Sequence, residues 1–287
     1  MSQVFLNGEF LPLDQARIPV LDRGFLFGDG VYEVIPAYGG RLFRLEQHLD
    51  RLGNSLRAIR IEQPHGHGEW RQILERLLAA NDGSDQSIYL QVTRGAHTKR
   101  DHAIPPGLQP TVFAMATPIA APNPAIAERG IHAVTREDIR WHRCDIKAVT
   151  LLAAVLLRQE AADEDAMEAI LVRDGLATEG AASNLFIVQD GVIVTPPKGA
   201  DLLPGITRDL VLELAVKEGL AHREVPITRE QLEQADEVWL TSSTREVMPV
   251  TRLDGRSVGD GRPGPVWRRM SALYRAYKEH LRTAHSD

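Results

Sequence analysis

The sequence contains a single cysteine, Cys144, so no internal disulfide can form and a small stapled secreted scaffold is excluded. A reducing, cytoplasmic setting is the expectation. No apolar run approaches membrane-spanning length, and the amino terminus lacks the basic, apolar and small-residue succession of a secretory signal. A cationic footprint is missing too: the net charge of −6 argues against a nucleic-acid partner. The ten histidines show no metal-ligand spacing, so no metal site is expected. There is no repeat and no low-complexity tract. What is present is a chain of 287 residues, 43% hydrophobic and 25% charged, which can bury the core of one large or two medium domains.

Local patterns divide the chain. Asn7-Gly8 between short apolar runs predicts a hairpin turn. Gly24, Gly28 and Gly30 crowd one short span, but their spacing does not fit a dinucleotide-binding G-x-G-x-x-G. Val31–Tyr38 alternates as a strand with Tyr32 and Val34 on one face and Glu33 opposite. Leu45, Leu49, Leu52 and Leu56 predict a helix over 44–59 from which Arg51 projects away from the apolar side, and a second helix spans 70–80. Strands at 87–94 and 111–117 enclose a polar loop with Arg94, Lys99, Arg100 and His102. Prolines 118, 122 and 124 mark a linker over 118–127 between a first domain, 1–117, and a second, 128–287. In the second, strands are predicted at 168–173, 185–189, 192–195 and 238–241, with helices after Thr207 (apolar face Leu210, Leu214 and Val216) and over 265–281.

Lys147 is the residue with the most chemistry to offer. Ile139, Trp141 and Arg143 alternate with Arg140, His142 and Cys144 ahead of it, while Val149, Leu152, Ala153 and Leu156 follow at helical spacing. That places the lysine at a strand-to-helix junction. Flanked by Ile146 and Ala148, its amine would be favoured in the neutral form that attacks an aldehyde and forms a Schiff base, as a lysine holding pyridoxal phosphate does. A lysine that merely buries its stem fits the stretch equally well.

Three segments suit a phosphate. Gly205-Ile206-Thr207 opens a helix, whose free N–H groups and dipole favour an anion; an ordinary threonine cap is the plain alternative. Ser242-Ser243-Thr244 follows a strand with further hydroxyls, or is simply a polar turn. Arg51 offers a forked permanent charge, or a solvated one. Glu179, read as part of a small-residue turn, is a carboxylate that could keep a pyridine nitrogen protonated.

In order and separation, these residues resemble a known family. Asp22-Arg23-Gly24, Phe27 through Glu33, His48 through Leu52, Gln91 through Gly95, Arg143 through Lys147, Thr178-Glu179-Gly180 and Gly205 through Arg208 are similar to motifs of the class IV aminotransferases, and most like those of its D-amino acid enzymes. The resemblance covers nearly the whole chain. It implies the α+β, fold-type IV architecture, with a smaller N-terminal α/β domain and a larger C-terminal pseudo-barrel domain that binds pyridoxal 5'-phosphate. It implies that Lys147 is the catalytic Schiff-base lysine, that Glu179 partners the ring nitrogen, that Leu203 lies beside the ring, and that Arg51, Ile206, Thr207 and Ser243 surround the phosphate. Tyr32, Arg100, His102 and Thr244 become substrate-binding residues, the Arg100 and His102 pair gripping an α-carboxylate across a homodimer interface. The implied reaction is transamination between a D-amino acid and a 2-oxo acid.

Ala181-Ala182 stands where relatives commonly carry serines, and Lys99 and Asp101 also depart from the family pattern. Branched-chain L-amino acid aminotransferases and aminodeoxychorismate lyase share the fold and the Lys147 and Glu179 positions, and are the alternative expectations. Cys144 reads as a packed thiol without a base.

Overall fold

The computed structural model describes residues 2–121 and 123–283. It falls into two compact units: residues through Ala120 with Ile146–Leu151 and those from Leu281 on, and Ala121–Asp145 with Leu152–His280. Among the described residues no helix is long and apolar enough to cross a membrane.

The first unit holds β1 (Gln3–Leu6), β2 (Glu9–Pro12), β3 (Gly30–Tyr38), β4 (Arg41–Leu42), β5 (Gln86–Thr93) and β6 (Thr111–Pro118), with α1 (Arg23–Phe27), α2 (Leu45–Ala58) and α3 (His67–Ala79). Its strands form an antiparallel sheet in the order β2-β1-β6-β5-β3-β4. Asn7 and Gly8 turn the first hairpin at φ 49° and 97°, the primed geometry that asparagine and glycine tolerate. Leu45, Leu49, Leu52 and Leu56 of α2 pack with Trp70, Leu74 and Leu77 of α3 against Val31, Ile35, Ile88 and Leu90 of the sheet. Arg51 does not project away from this face. It is buried on α2 together with His48 and Ser55, one turn apart on either side.

The second unit contains α4 (Pro124–Arg129), β7 (Ile131–Glu137), α5 (Leu152–Asp163), β8 (Glu168–Arg173), β9 (Leu176–Gly180), β10 (Asn184–Gln189) and β11 (Val192–Thr195). It continues with α6 (Ile206–Lys217), β12 (His222–Glu224), β13 (Ile227–Thr228), α7 (Arg229–Glu233), β14 (Glu237–Ser242), β15 (Glu246–Leu253), β16 (Arg256–Ser257) and α8 (Pro265–Thr283), whose last turn is counted with the first unit. Among the described residues its sheet has ten strands in the order β12-β11-β10-β14-β15-β7-β8-β9-β13, with β16 on β15, and curls as a half-barrel. The pairs β11–β12, β15–β7 and β7–β8 are parallel. The α+β fold-type IV architecture expected from the sequence is the one observed.

The chain around Lys147 is not a strand-to-helix junction. Residues 138–144 are irregular, with Ile139 and Trp141 half exposed, and α5 begins five residues after the lysine at Leu152. The alternation before Lys147 has no sheet partner to enforce it. The segment 146–151 returns to the first unit instead: Ile146 enters that unit's core and Ala148 bridges to Val31. On α5 the buried residues are Leu157 and Ala161, while Leu152, Val155 and Leu156 are exposed at 73%, 59% and 50%. Val216 likewise lies outside the buried face of α6. Glu179 belongs to the strand β9, and the tight turn follows it at Ala181-Ala182.

Candidate active site

Lys147 is fixed at its backbone by two elements of the first unit. Its N–H donates to the Ser55 hydroxyl of α2 at 3.2 Å, and its carbonyl accepts from the Tyr32 N–H of β3 at 2.9 Å. Next to it, Val149 N–H donates to the Gly30 carbonyl at 3.1 Å. The side chain is thereby aimed, and Nζ lies 4.2 Å from the centre of the Tyr32 ring, within range of a cation–π contact. This is where the structure unites two of the sequence-derived residues, the lysine and the tyrosine.

Arg51 meets Glu33 on a fork: Nε donates to Oε1 at 2.8 Å and Nη2 to Oε2 at 2.7 Å. His48 completes the cluster through Nδ1 at 2.8 Å from Oε2. Burial would raise the Glu33 carboxyl, but the charge and hydrogen bonds of Arg51, with His48 added, hold it far below the usual carboxylate range. Burial also pushes His48 down, so a neutral ring donates from Nδ1 to an ionised carboxylate. Arg51 is thus locked into one orientation by its fork with Glu33.

Arg100 and His102 lie on the exposed loop between β5 and β6. Both side chains rest on Phe27 of α1, with the Arg100 guanidinium carbon 5.2 Å and the His102 ring 5.0 Å from its centre. Lys99 and Asp101 pair with each other at 3.2 Å on the solvent side.

In the second unit Glu179 is almost completely buried on β9. Oε2 accepts from the Asn184 amide at 3.0 Å and the Leu203 N–H at 3.1 Å, and Oε1 accepts from Arg140 Nη1. Burial pushes its carboxyl up to about 7; Arg140 and the Leu203 N–H oppose that rise. Arg140 divides its charge, because its Nε and Nη2 fork onto Asp138 at 2.9 Å each. Leu203 precedes Gly205 at the start of α6, so the Leu203 N–H joins Glu179 to the entrance of the helix that carries Ile206 and Thr207. Asn184 also donates to the Leu203 carbonyl at 2.8 Å. A Cβ on Gly205 would stand 1.9 Å from Asn184 Oδ1, so only glycine admits this close approach. Ser243 and Thr244 lie in the turn between β14 and β15, Ser243 half-buried and Thr244 exposed. Cys144 is buried, burial pushing its thiol up.

These residues fit pyridoxal phosphate on chemical grounds. Among the described residues no side chain caps the amino end of α6, where Gly205 stands as N-cap and Thr207 is buried within the first turn. An uncapped helix start is a ready site for a phosphate. A buried carboxyl raised to about 7 can share a proton with a ring nitrogen. Lys147 provides the amine.

The comparisons agree with that chemistry. The family described as amino-transferase class IV matches residues 30–253. The chain belongs to the class IV aminotransferases. It is 43% identical to the D-alanine aminotransferase of Bacillus licheniformis over 264 residues, 92% of this chain and 93% of that one. To the D-alanine aminotransferase of Staphylococcus haemolyticus it is 40% identical over 280 residues, 97% and 99% of the two chains. A solved class IV neighbour is the branched-chain amino acid aminotransferase of Escherichia coli, at a TM-score of 0.89 and 30% identity, covering 96% of this chain and 94% of that one. Class IV aminotransferases depend on pyridoxal phosphate.

Several residues around these side chains escaped sequence reasoning. Glu33 and His48 as partners of Arg51, Ser55 beneath Lys147, and Arg140 and Asn184 around Glu179 are all such cases. His48, Arg51 and Ser55 fall at i, i+3 and i+7, a polar stripe inside an otherwise apolar helix face, which is a signal that could have been read. Arg140 gives no such signal for Glu179, which lies 39 residues further along the chain.

Proposed function

We propose that this class IV aminotransferase moves the amino group of a D-amino acid, such as D-alanine or D-glutamate, to a 2-oxo acid such as 2-oxoglutarate or pyruvate, using pyridoxal 5'-phosphate. The observation that carries the reading is the placement of Lys147, whose backbone is tied at both N–H and carbonyl and whose Nζ is set beside Tyr32. The greater identity to D-alanine aminotransferases than to the branched-chain structure supports D substrates over the branched-chain alternative.

Pyridoxal phosphate, when bound, supplies an aldehyde for amines and a ring that accepts electrons as an α-proton leaves. Lys147 Nζ is the amine that would hold the aldehyde at rest. Once free, the same Nζ would carry the proton, taking it from the α-carbon of the donor in one half-reaction and giving it to the α-carbon of the acceptor in the other. Glu179 holds a proton at the ring nitrogen, Arg51, Ile206, Thr207 and Ser243 take the phosphate, and Leu203 supports the ring. Tyr32, Arg100, His102 and Thr244 bind substrate. An arginine fork and a histidine suit a carboxylate, and holding it on that side turns the α-hydrogen of the D enantiomer toward Lys147.

The assembly in this reading is at least a homodimer in the cytoplasm, with the Arg100 and His102 loop completing a neighbour's site. The exposed apolar residues Leu152, Val155 and Leu156 of α5 support association. Fully active monomers in sedimentation would overturn the dimer.

The test of the activity is a half-reaction. Mixed with D-alanine and no oxo acid, the loaded protein changes its cofactor absorption, whereas L-leucine leaves it unaltered and Lys147→Ala abolishes the change. Conversion by L-leucine alone would overturn the D-amino acid reading.

A further inference from the structure

An exposed arginine and histidine lose rotamer freedom when they grip a carboxylate, which weakens binding unless something holds them in advance. Here α1 does so. Arg23, buried in its first turn, donates from Nη1 to the carbonyls of Asp101 at 2.6 Å and Ala103 at 3.3 Å, and from Nη2 to the carbonyl of His102 at 3.3 Å. Three successive loop carbonyls converge on one guanidinium. Its Nε donates to Asp29 Oδ2 at 2.8 Å, and Asp29 is gripped in turn by Arg94 Nε at 2.7 Å and Nη2 at 2.8 Å at the foot of the loop.

One turn further along α1, Phe27 offers its ring to Arg100 and His102 at 5.2 and 5.0 Å, while the Arg23 guanidinium carbon lies 4.9 Å from the same ring centre. The helix itself is anchored by Asp22, which is wholly buried, caps Gly24 N–H at 2.7 Å and accepts from the Thr93 and Thr111 hydroxyls at 3.0 and 2.6 Å. The loop is therefore tied to the two strands that flank it.

We propose that Arg23 and Phe27 are positioning residues of the carboxylate trap: Arg23 fixes the backbone of the loop, and Phe27 fixes the Arg100 and His102 side chains upon it. The proposal rests on the reading of Arg100 and His102 as the holders of the substrate's α-carboxylate. Arg23 and Phe27 touch neither substrate nor cofactor in this role. They set how much of the loop's ordering is complete before the substrate arrives.

The deciding experiment is the D-alanine half-reaction of the loaded enzyme. Phe27→Leu keeps an apolar side chain and removes the aromatic face. It raises the half-saturating D-alanine concentration about tenfold while the saturating rate falls by less than about twofold. In an Arg100→Ala, His102→Ala background the same substitution adds less than about twofold, because its effect runs through those two side chains. Arg23→Lys replaces a fork that reaches three carbonyls with one ammonium, so amide hydrogen exchange across residues 99–104 quickens about tenfold while exchange in β5 is unchanged. If Phe27→Leu leaves half-saturation unchanged while Arg100→Ala raises it, the positioning role is overturned and the trap stands. An equal effect of Phe27→Leu in both backgrounds also overturns it. If Arg100→Ala itself leaves half-saturation unchanged, the trap reading is the one that fails. Unaltered exchange over 99–104 in Arg23→Lys removes the part assigned to Arg23.

Discussion

Glu33 in the first unit and Glu179 in the second are both buried against an arginine, and the two carboxylates are driven in opposite directions. Glu33, in the first unit, has Arg51 on a two-pronged fork and His48 as a further donor, and is held far below the ordinary carboxylate range. Glu179, in the second, shares Arg140 with Asp138, receives only neutral donors besides, and is pushed up to about 7. Burial acts the same way on both. What differs is how much cationic charge each carboxylate has to itself. A fixed anion suits Glu33, whose task is to hold Arg51 in place. A carboxyl near neutrality suits the part proposed for Glu179, that of partner to a ring nitrogen that must keep a proton.

The largest effect comes from breaking the first cluster. Glu33→Gln leaves Arg51 buried without its counter-charge and destabilises the protein by about 3–5 kcal/mol in urea unfolding at pH 7. A loss under about 1 kcal/mol would show that water or relaxation replaces Glu33.

Next in size is the pH dependence of the cofactor-free protein. Glu179 titrates at about 7 when folded and near 4.5 when unfolded, so between these values the unfolded chain gives up its proton first. Its contribution to stability therefore falls as pH rises from 4.5 through 7 and is level above that. Glu33 has the opposite sign: its stabilisation is full above its unfolded value of 4.5 and is lost as the pH falls below it. Subtracting the stability of Glu179→Gln from that of the parent, across this range, yields a declining curve. A flat difference would mean that Glu179 is ionised throughout.

The smallest effect sharpens the comparison. Arg140→Lys keeps a cation but cannot fork onto Asp138 and reach Glu179 as well, so the falling limb assigned to Glu179 moves up by about one pH unit. Movement to lower pH would show that the lysine serves Glu179 better than the shared arginine does.

The fold was legible where the chemistry is local. Asn7-Gly8 dictates a turn with no help from elsewhere, and the α2 leucines recur at a spacing that only a helix uses. Two stretches misled because their patterns lack a partner that would make them matter. Ile139 and Trp141 alternate with polar residues but join no sheet, and Leu152 and Leu156 keep helical spacing while facing outward on α5. Glu179 sits next to small residues that suggest a turn, yet β8 and β13 pair with that stretch and make it a strand. Motif order singled out Lys147 and Glu179 as candidates. The opposite treatment of Glu33 and Glu179 was not legible, because Arg51 and Arg140 reach them from positions remote in sequence.

The return of residues 146–151 to the first unit has a consequence for how the protein is made. When a ribosome has released the chain as far as Ala120, β3 still lacks Ala148, its bridge partner at Val31, and the core lacks Ile146. Domains emerging from synthesis generally fold in order. Here the earlier one stays unfinished until the first stretch of the later one, 121–145, has also been made. The segment that then arrives carries Lys147, and the last turn of α8 joins the unit later still.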